Sequence, residues 1–237
     1  MKELPPESRT DPSRRSAESL PGGAAGPTPE SARRLLRDSR LDGAEIETLL
    51  QNPSLRKLYE VRRLAAAHPR TPQAKAIGLV AGLYWQDLLK LSADARVRPV
   101  VRRAADRRLA DRAGQLAIGE KLVVARHAGP GLIPRLLAEP DPRVIAAALD
   151  NPRITEASVA RMVARPATPP ESLRLVAGNL KWGRRYVVRA ALCGNPSAPT
   201  ELALEQLVFL RKADLRRIAG DTRLSRTVRD RASLLAG

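Results

Sequence analysis

The chain has 237 residues, 42 Lys and Arg against 25 Asp and Glu for a formal net charge of +17, and 43 % hydrophobic but only 3 % aromatic residues. Such an apolar share supports a core of Leu, Val, Ile and Ala, in one large domain or two small ones. No apolar run approaches the roughly 20 residues of a membrane-spanning helix. Met1 to Thr10 shows no apolar stretch behind its charge, and the single Cys193 excludes an internal disulfide and a cysteine zinc site.

These features predict a soluble cytoplasmic protein without metal or cofactor. The excess of base over acid predicts attraction for polyanions, either an acidic protein surface or nucleic acid.

Residues 1–30 read as a disordered tail, because Leu4-Pro5-Pro6-Glu7-Ser8 and Leu20-Pro21-Gly22-Gly23-Ala24-Ala25-Gly26-Pro27 mix Pro, Gly and Ser with no apolar period. Residues 31–237 read as one helical domain. Ala74, Ile77, Ala81, Tyr84, Leu88 and Leu91 fall at steps of three and four and predict one apolar helix face. Further on, Pro and Gly punctuate short helices at His68-Pro69, Gly129-Pro130, Pro140-Asp141-Pro142, Asn151-Pro152, Arg165-Pro166 and Asn195-Pro196. A residue before Pro is pushed out of the α region, while Thr, Ser or Pro just beyond suits the start of the next helix. No sustained period-two alternation is present, so the fold class is all-α.

Aligning Val97, Val144 and Val187 gives spacings of 47 and 43 residues, the period of helical solenoid repeats. The phrase Ala148-Leu149-Asp150-Asn151-Pro152-Arg153-Ile154-Thr155 and its echoes at Ala67 to Pro72 and Gly194 to Pro199 resemble the bacterial variant leucine-rich repeat. The resemblance covers about residues 60–235, skips Ala113 to His127, and lacks that family's iron–sulfur cysteines. It implies a right-handed α-solenoid of short HEAT-like helix pairs, a fold that works by binding along its surface.

Two basic segments are the candidate sites for an anionic partner. In α-helical register, Arg98 with Arg102 and Arg103 with Arg107 are four residues apart, and such a row can track phosphates. The stretch Lys181, Trp182, Arg184, Arg185, Tyr186 and Arg189 sets four cations beside two rings, which suits base stacking or a cation–π clasp. The alternative has Trp182 and Tyr186 anchoring a loop–helix junction, and Asp106 and Asp111 partnering the arginine row. A third basic set, Arg211 to Arg231, is diluted by acids.

His68 and His127 stand apart from any ligand-spaced cluster, and no phosphate loop or nucleophile elbow occurs. The expected function is therefore non-enzymatic binding of an acidic partner, foremost a protein. Nucleic-acid binding is the alternative, including a HEAT-like DNA glycosylase that would use Tyr84-Trp85-Gln86-Asp87.

Overall fold

The computed structural model describes residues 27–237, so most of the tail expected over 1–30 lies outside the described residues. Thr28 already caps the first helix through its hydroxyl, which accepts from Ser31 N at 3.3 Å. Sixteen α-helices follow and the described residues contain no strand. They are α1 Pro29–Leu35, α2 Gly43–Gln51, α3 Pro53–Lys57, α4 Tyr59–Ala67, α5 Gln73–Val80 and α6 Trp85–Ala93. The middle holds α7 Pro99–Arg112, α8 Ile118–His127, α9 Ile133–Leu136 and α10 Pro142–Leu149. The last six are α11 Glu156–Val163, α12 Pro170–Gly178, α13 Tyr186–Cys193, α14 Thr200–Leu207, α15 Lys212–Ala219 and α16 Arg226–Ala236. None is long and apolar enough to cross a membrane.

The expected punctuation holds. Helices end at Ala67, Leu149, Val163 and Cys193, each ahead of its Pro, and Pro72, Thr155, Pro169 and Pro199 sit at the cap of the next. One predicted helix is instead two. The face drawn through Ala74 to Leu91 breaks at Ala81-Gly82-Leu83, leaving Ala74 and Tyr84 exposed, while Ala76, Val80 and Leu83 are buried. A turn without Pro let the apolar period run on across the break.

Successive helices pack on their neighbours as in an α-solenoid, and the repeating unit carries a third helix beyond the expected pair. Val61, Val101, Val144, Val188 and Val228 are each the third residue of α4, α7, α10, α13 and α16, and all are buried. Burying each such side chain contributes about 1.5–3 kcal/mol. This register replaces the one drawn through Val97 and Val187. Val97 lies in the turn before α7, and Val187 is 52 % exposed.

The units are tied by side chains capping bare helix ends, where carbonyls have no partner within the helix. Asn151, after α10, donates to Ala125 O and Ala128 O at 2.8 and 3.2 Å, at the end of α8. Asn195, after α13, donates to Val163 O and Arg165 O at the end of α11. His68, after α4, takes the same place: its Nδ1 accepts from Arg70 N at 3.1 Å, so Nε2 is the nitrogen that donates to Asp38 O at 2.9 Å. In the one unit without a Pro stop, α7 runs on, and Arg108 and Arg112 donate to Ala81 O and Leu83 O.

Residues 28–109 and 155–236 are two copies of one arrangement, 127 positions apart without insertion (28 to 155, 59 to 186). The offset carries α1 onto α11, α2 onto α12, α4 onto α13, α5 onto α14 and α6 onto α15. It also maps hydrogen bond onto hydrogen bond. Thr28 and Thr155 cap Ser31 N and Ser158 N; Asn52 and Asn179 accept from the backbone two and three residues on. Tyr59 Oη donates to Asp87 Oδ2 at 2.6 Å and accepts from Tyr84 N at 3.0 Å. In the second half Tyr186 Oη donates to Asp214 and accepts from Arg211 N at 3.1 Å.

Candidate functional site

The ten predicted site residues lie on two segments that differ in exposure. Arg98, Arg103 and Arg107 are exposed along α7, whereas Arg102 is half-buried with its Nε enclosed and unpaired. Asp106, expected as a surface partner for this row, is buried instead, and its Oδ1 has no partner. Burial pushes its carboxyl above the ordinary range. A Cβ on Gly131 would lie 2.5 Å from Asp106 Oδ2, so glycine is needed there for the loop to approach.

The second segment anchors as much as it presents. Trp182 is buried, and its indole Nε1 donates to Leu149 O at 3.0 Å. Lys181 lies 4.3 Å over that ring. Arg189 is half-buried, donating from Nε to Gly183 O at 3.1 Å with its guanidinium 3.8 Å from the Phe209 ring centroid. Arg184 and Arg185 are exposed. So the junction-anchoring alternative describes Trp182 and Tyr186, and the free cations of this segment are Lys181, Arg184 and Arg185. None of these three, nor Arg98, Arg103 or Arg107, enters an ion pair among the described residues.

α7 packs chiefly on α5 and α6, and α13 on α11 and α14, so the two basic segments belong to different parts of the solenoid. Of the residues proposed for a glycosylase, Tyr84 and Gln86 are exposed, and Trp85 and Asp87 make contacts to neighbouring elements. Asp87 accepts from Tyr59 and pairs with Lys90 at 3.6 Å, and Trp85 Nε1 donates to Glu120 at 2.9 Å. His68 is a backbone cap, His127 is exposed, and no acid, His and Cys cluster among the described residues could hold a metal. Cys193 is buried, which pushes its thiol up to about 12, so it packs as a small apolar residue.

Sequence reasoning missed a groove of 760 Å³ between α11, α13 and α15. Two carboxylates organise its polar side. Asp214 accepts from Tyr186 and pairs with Arg217 at 3.0 Å; Asp221 pairs with Arg223 at 2.7 Å and also accepts from its backbone N at 3.1 Å. Hydrogen bonds from Arg223 pull the Asp221 carboxyl down to about 2. The counterpart in the first half, formed by Arg63, Ala67, Asp87, Lys90, Asp94 and Arg96 among others, is smaller at 420 Å³. The signal available in the sequence was the matched spacing of Tyr59, Asp87, Asp94 and Arg96 with Tyr186, Asp214, Asp221 and Arg223.

No protein-family model matches the chain, and no curated protein or solved structure matches it.

Proposed function

We propose that this protein is a non-enzymatic, cytoplasmic binding scaffold whose basic α-solenoid takes an acidic protein partner. The observation that carries this reading is the set of exposed cations without a carboxylate partner, Arg98, Arg103, Arg107, Lys181, Arg184 and Arg185. Unpaired surface arginines keep their donor forks free for carboxylates. A protein is favoured over nucleic acid because the rings of the 181–189 segment are committed. Trp182 is inside and the Tyr186 hydroxyl is clasped to Asp214, whereas single-strand binding relies on free stacking faces. The Asn-Pro turns between short helices support placing the chain among variant leucine-rich or HEAT-like repeats.

The test is fluorescence anisotropy of the full chain with labelled poly-L-glutamate and with short DNA and RNA, single- and double-stranded, across a salt series. Poly-L-glutamate is expected to bind at physiological salt. Replacing Arg98, Arg103, Arg184 and Arg185 by Ala should weaken it at least tenfold. Tighter nucleic-acid binding at the same salt, with a steep log–log salt slope that those replacements flatten, would overturn the protein reading.

A further inference from the structure

The two grooves share a framework and differ in lining. Across the 127-residue offset, Ala160 stands where the first half has Arg33, Ala164 where it has Arg37, Ala190 where it has Arg63, and Val187 where it has Glu60. In the first half the Glu60 carboxylate lies between Arg33 at 3.1 Å and Arg63 at 3.5 Å. There the surface carries its own acid, held by its own cations. In the second half the same positions are small or apolar, and the groove is correspondingly larger.

Opening the second groove did not remove its cations. Arg161 remains exposed, as do Arg217 and Arg223, whose side chains are 68 % and 65 % accessible. The acids beside them also line the groove but are engaged by their neighbours. Asp214 is occupied by Tyr186 and Arg217, and Asp221 by the Nε, Nη2 and backbone N of Arg223. The Arg217 guanidinium therefore spends one of its five N–H donors on Asp214, and that of Arg223 two on Asp221, which leaves the rest free for a ligand. The floor offers apolar surface, with Val187 52 % exposed beside the alanines.

We propose that the groove between α11, α13 and α15 docks an amphipathic helix of the partner. The helix would lay an apolar stripe on Ala160, Ala164, Ala190 and Val187 and set an acidic flank against Arg161, Arg217 and Arg223. Its carboxylates supply what Glu60 supplies internally in the first half, and its apolar stripe follows the helix-in-groove mode of recognition. This rests on the acidic-protein reading and adds to it a place and an apolar component.

The test uses the full chain and two labelled 18-residue peptides of equal negative charge. One has Leu at i, i+3, i+4 and i+7 repeats flanked by Glu; in the other every Leu is Gln. The Leu peptide is expected to bind at least tenfold more tightly. Grafting the first half's triad into the second, Ala160→Arg with Val187→Glu and Ala190→Arg, should abolish that advantage. The graft raises net charge by one, so a purely electrostatic surface would bind both peptides as well as before or better. Circular dichroism checks folding of the graft, and Ala164→Arg alone serves if the triple variant is destabilised. Equal affinity for the two peptides, or a Leu advantage that survives the substitutions, would overturn the groove and leave the acidic-partner reading standing. Failure of both peptides to bind at low salt would overturn both readings.

Discussion

Residues 28–109 and 155–236 reach the same chain path through different side chains, and the differences sort by position. Where a side chain closes a helix end, its chemistry is conserved even when its identity changes. His68 and Asn195 both accept from the backbone two residues on and donate to the carbonyls of the preceding unit. Where α11 and α13 line the groove, charge and size are exchanged, as in Arg33 against Ala160 and Glu60 against Val187, while the charged residues around α15 keep their first-half character. A buried donor or acceptor without a partner costs about 1–3 kcal/mol, whereas most surface changes stay within roughly 0.5 kcal/mol. Energetics therefore hold the caps constant and leave the groove free to specialise.

The largest expected difference between the halves lies at Leu55 and Trp182, both buried and related by the offset. Trp182 reaches α10 through its bond to Leu149 O, and the turn that carries it passes so close to α12 that a Cβ on Gly183 would lie 2.0 Å from Ala177 O. Trp182→Ala is expected to cost about 3–5 kcal/mol and Leu55→Ala about 2–5 kcal/mol, with Trp182 the greater by roughly the worth of one hydrogen bond. Urea denaturation monitored by far-UV circular dichroism measures both. Equal costs would mean that the indole's tie to α10 contributes nothing.

Next come the caps. Asn195→Ala should cost about 1–3 kcal/mol, since it leaves the buried Val163 O unpaired, and His68→Ala somewhat less, since its partners Asp38 O and Arg70 N are part-buried. His68→Asn, which writes the second half's residue into the first, should recover at least half of the His68→Ala loss in the same assay. No recovery would show that the two caps are alike in position only.

The smallest effects are expected from titration. Bonds from Arg223, Arg96 and Arg143 pull the carboxyls of Asp221, Asp94 and Asp141 below the ordinary range. Their folded-state values lie below the unfolded ones, so their contribution is present above about pH 4 and is lost as pH falls toward 2. Asp94 and Asp221 are counterparts, and this acid loss belongs to both halves. Asp106 has the opposite sign and no acidic counterpart, since the offset places Ser233 there. Its carboxyl is raised by burial, so its favourable contribution is lost as pH rises through its folded value. Asp106→Asn should raise the melting temperature at pH 7 and leave it unchanged at pH 3, as read by thermal denaturation. A lower melting temperature at pH 7 would mean that the ionised Asp106 is satisfied inside.

Helix existence and most helix ends were legible because Pro and the capping residues act within a few positions of the break they cause. The failed apolar face across Ala81 to Leu83 shows the limit of that locality: the turn there has no Pro, and its caps Arg108 and Arg112 come from a later helix. The repeat register slipped for a related reason. Val187 and Val188 are adjacent and equally apolar, and only packing against neighbouring helices buries one and exposes the other. Arg184 and Arg185 were readable as free cations. Trp182 was readable only as one of two alternatives, because its acceptor lies 33 residues away on α10.

By itself the sequence determined an all-α chain of short, Pro-punctuated helices with a strong basic excess, since propensity, capping and net charge are local or additive properties. The tertiary structure alone decided which arginines are free and which rings are spent. It also decided that alanines of α11 and α13 meet the arginines around α15 in one groove. Those properties depend on which distant surfaces the solenoid stacks together, and no window of neighbouring residues contains that information.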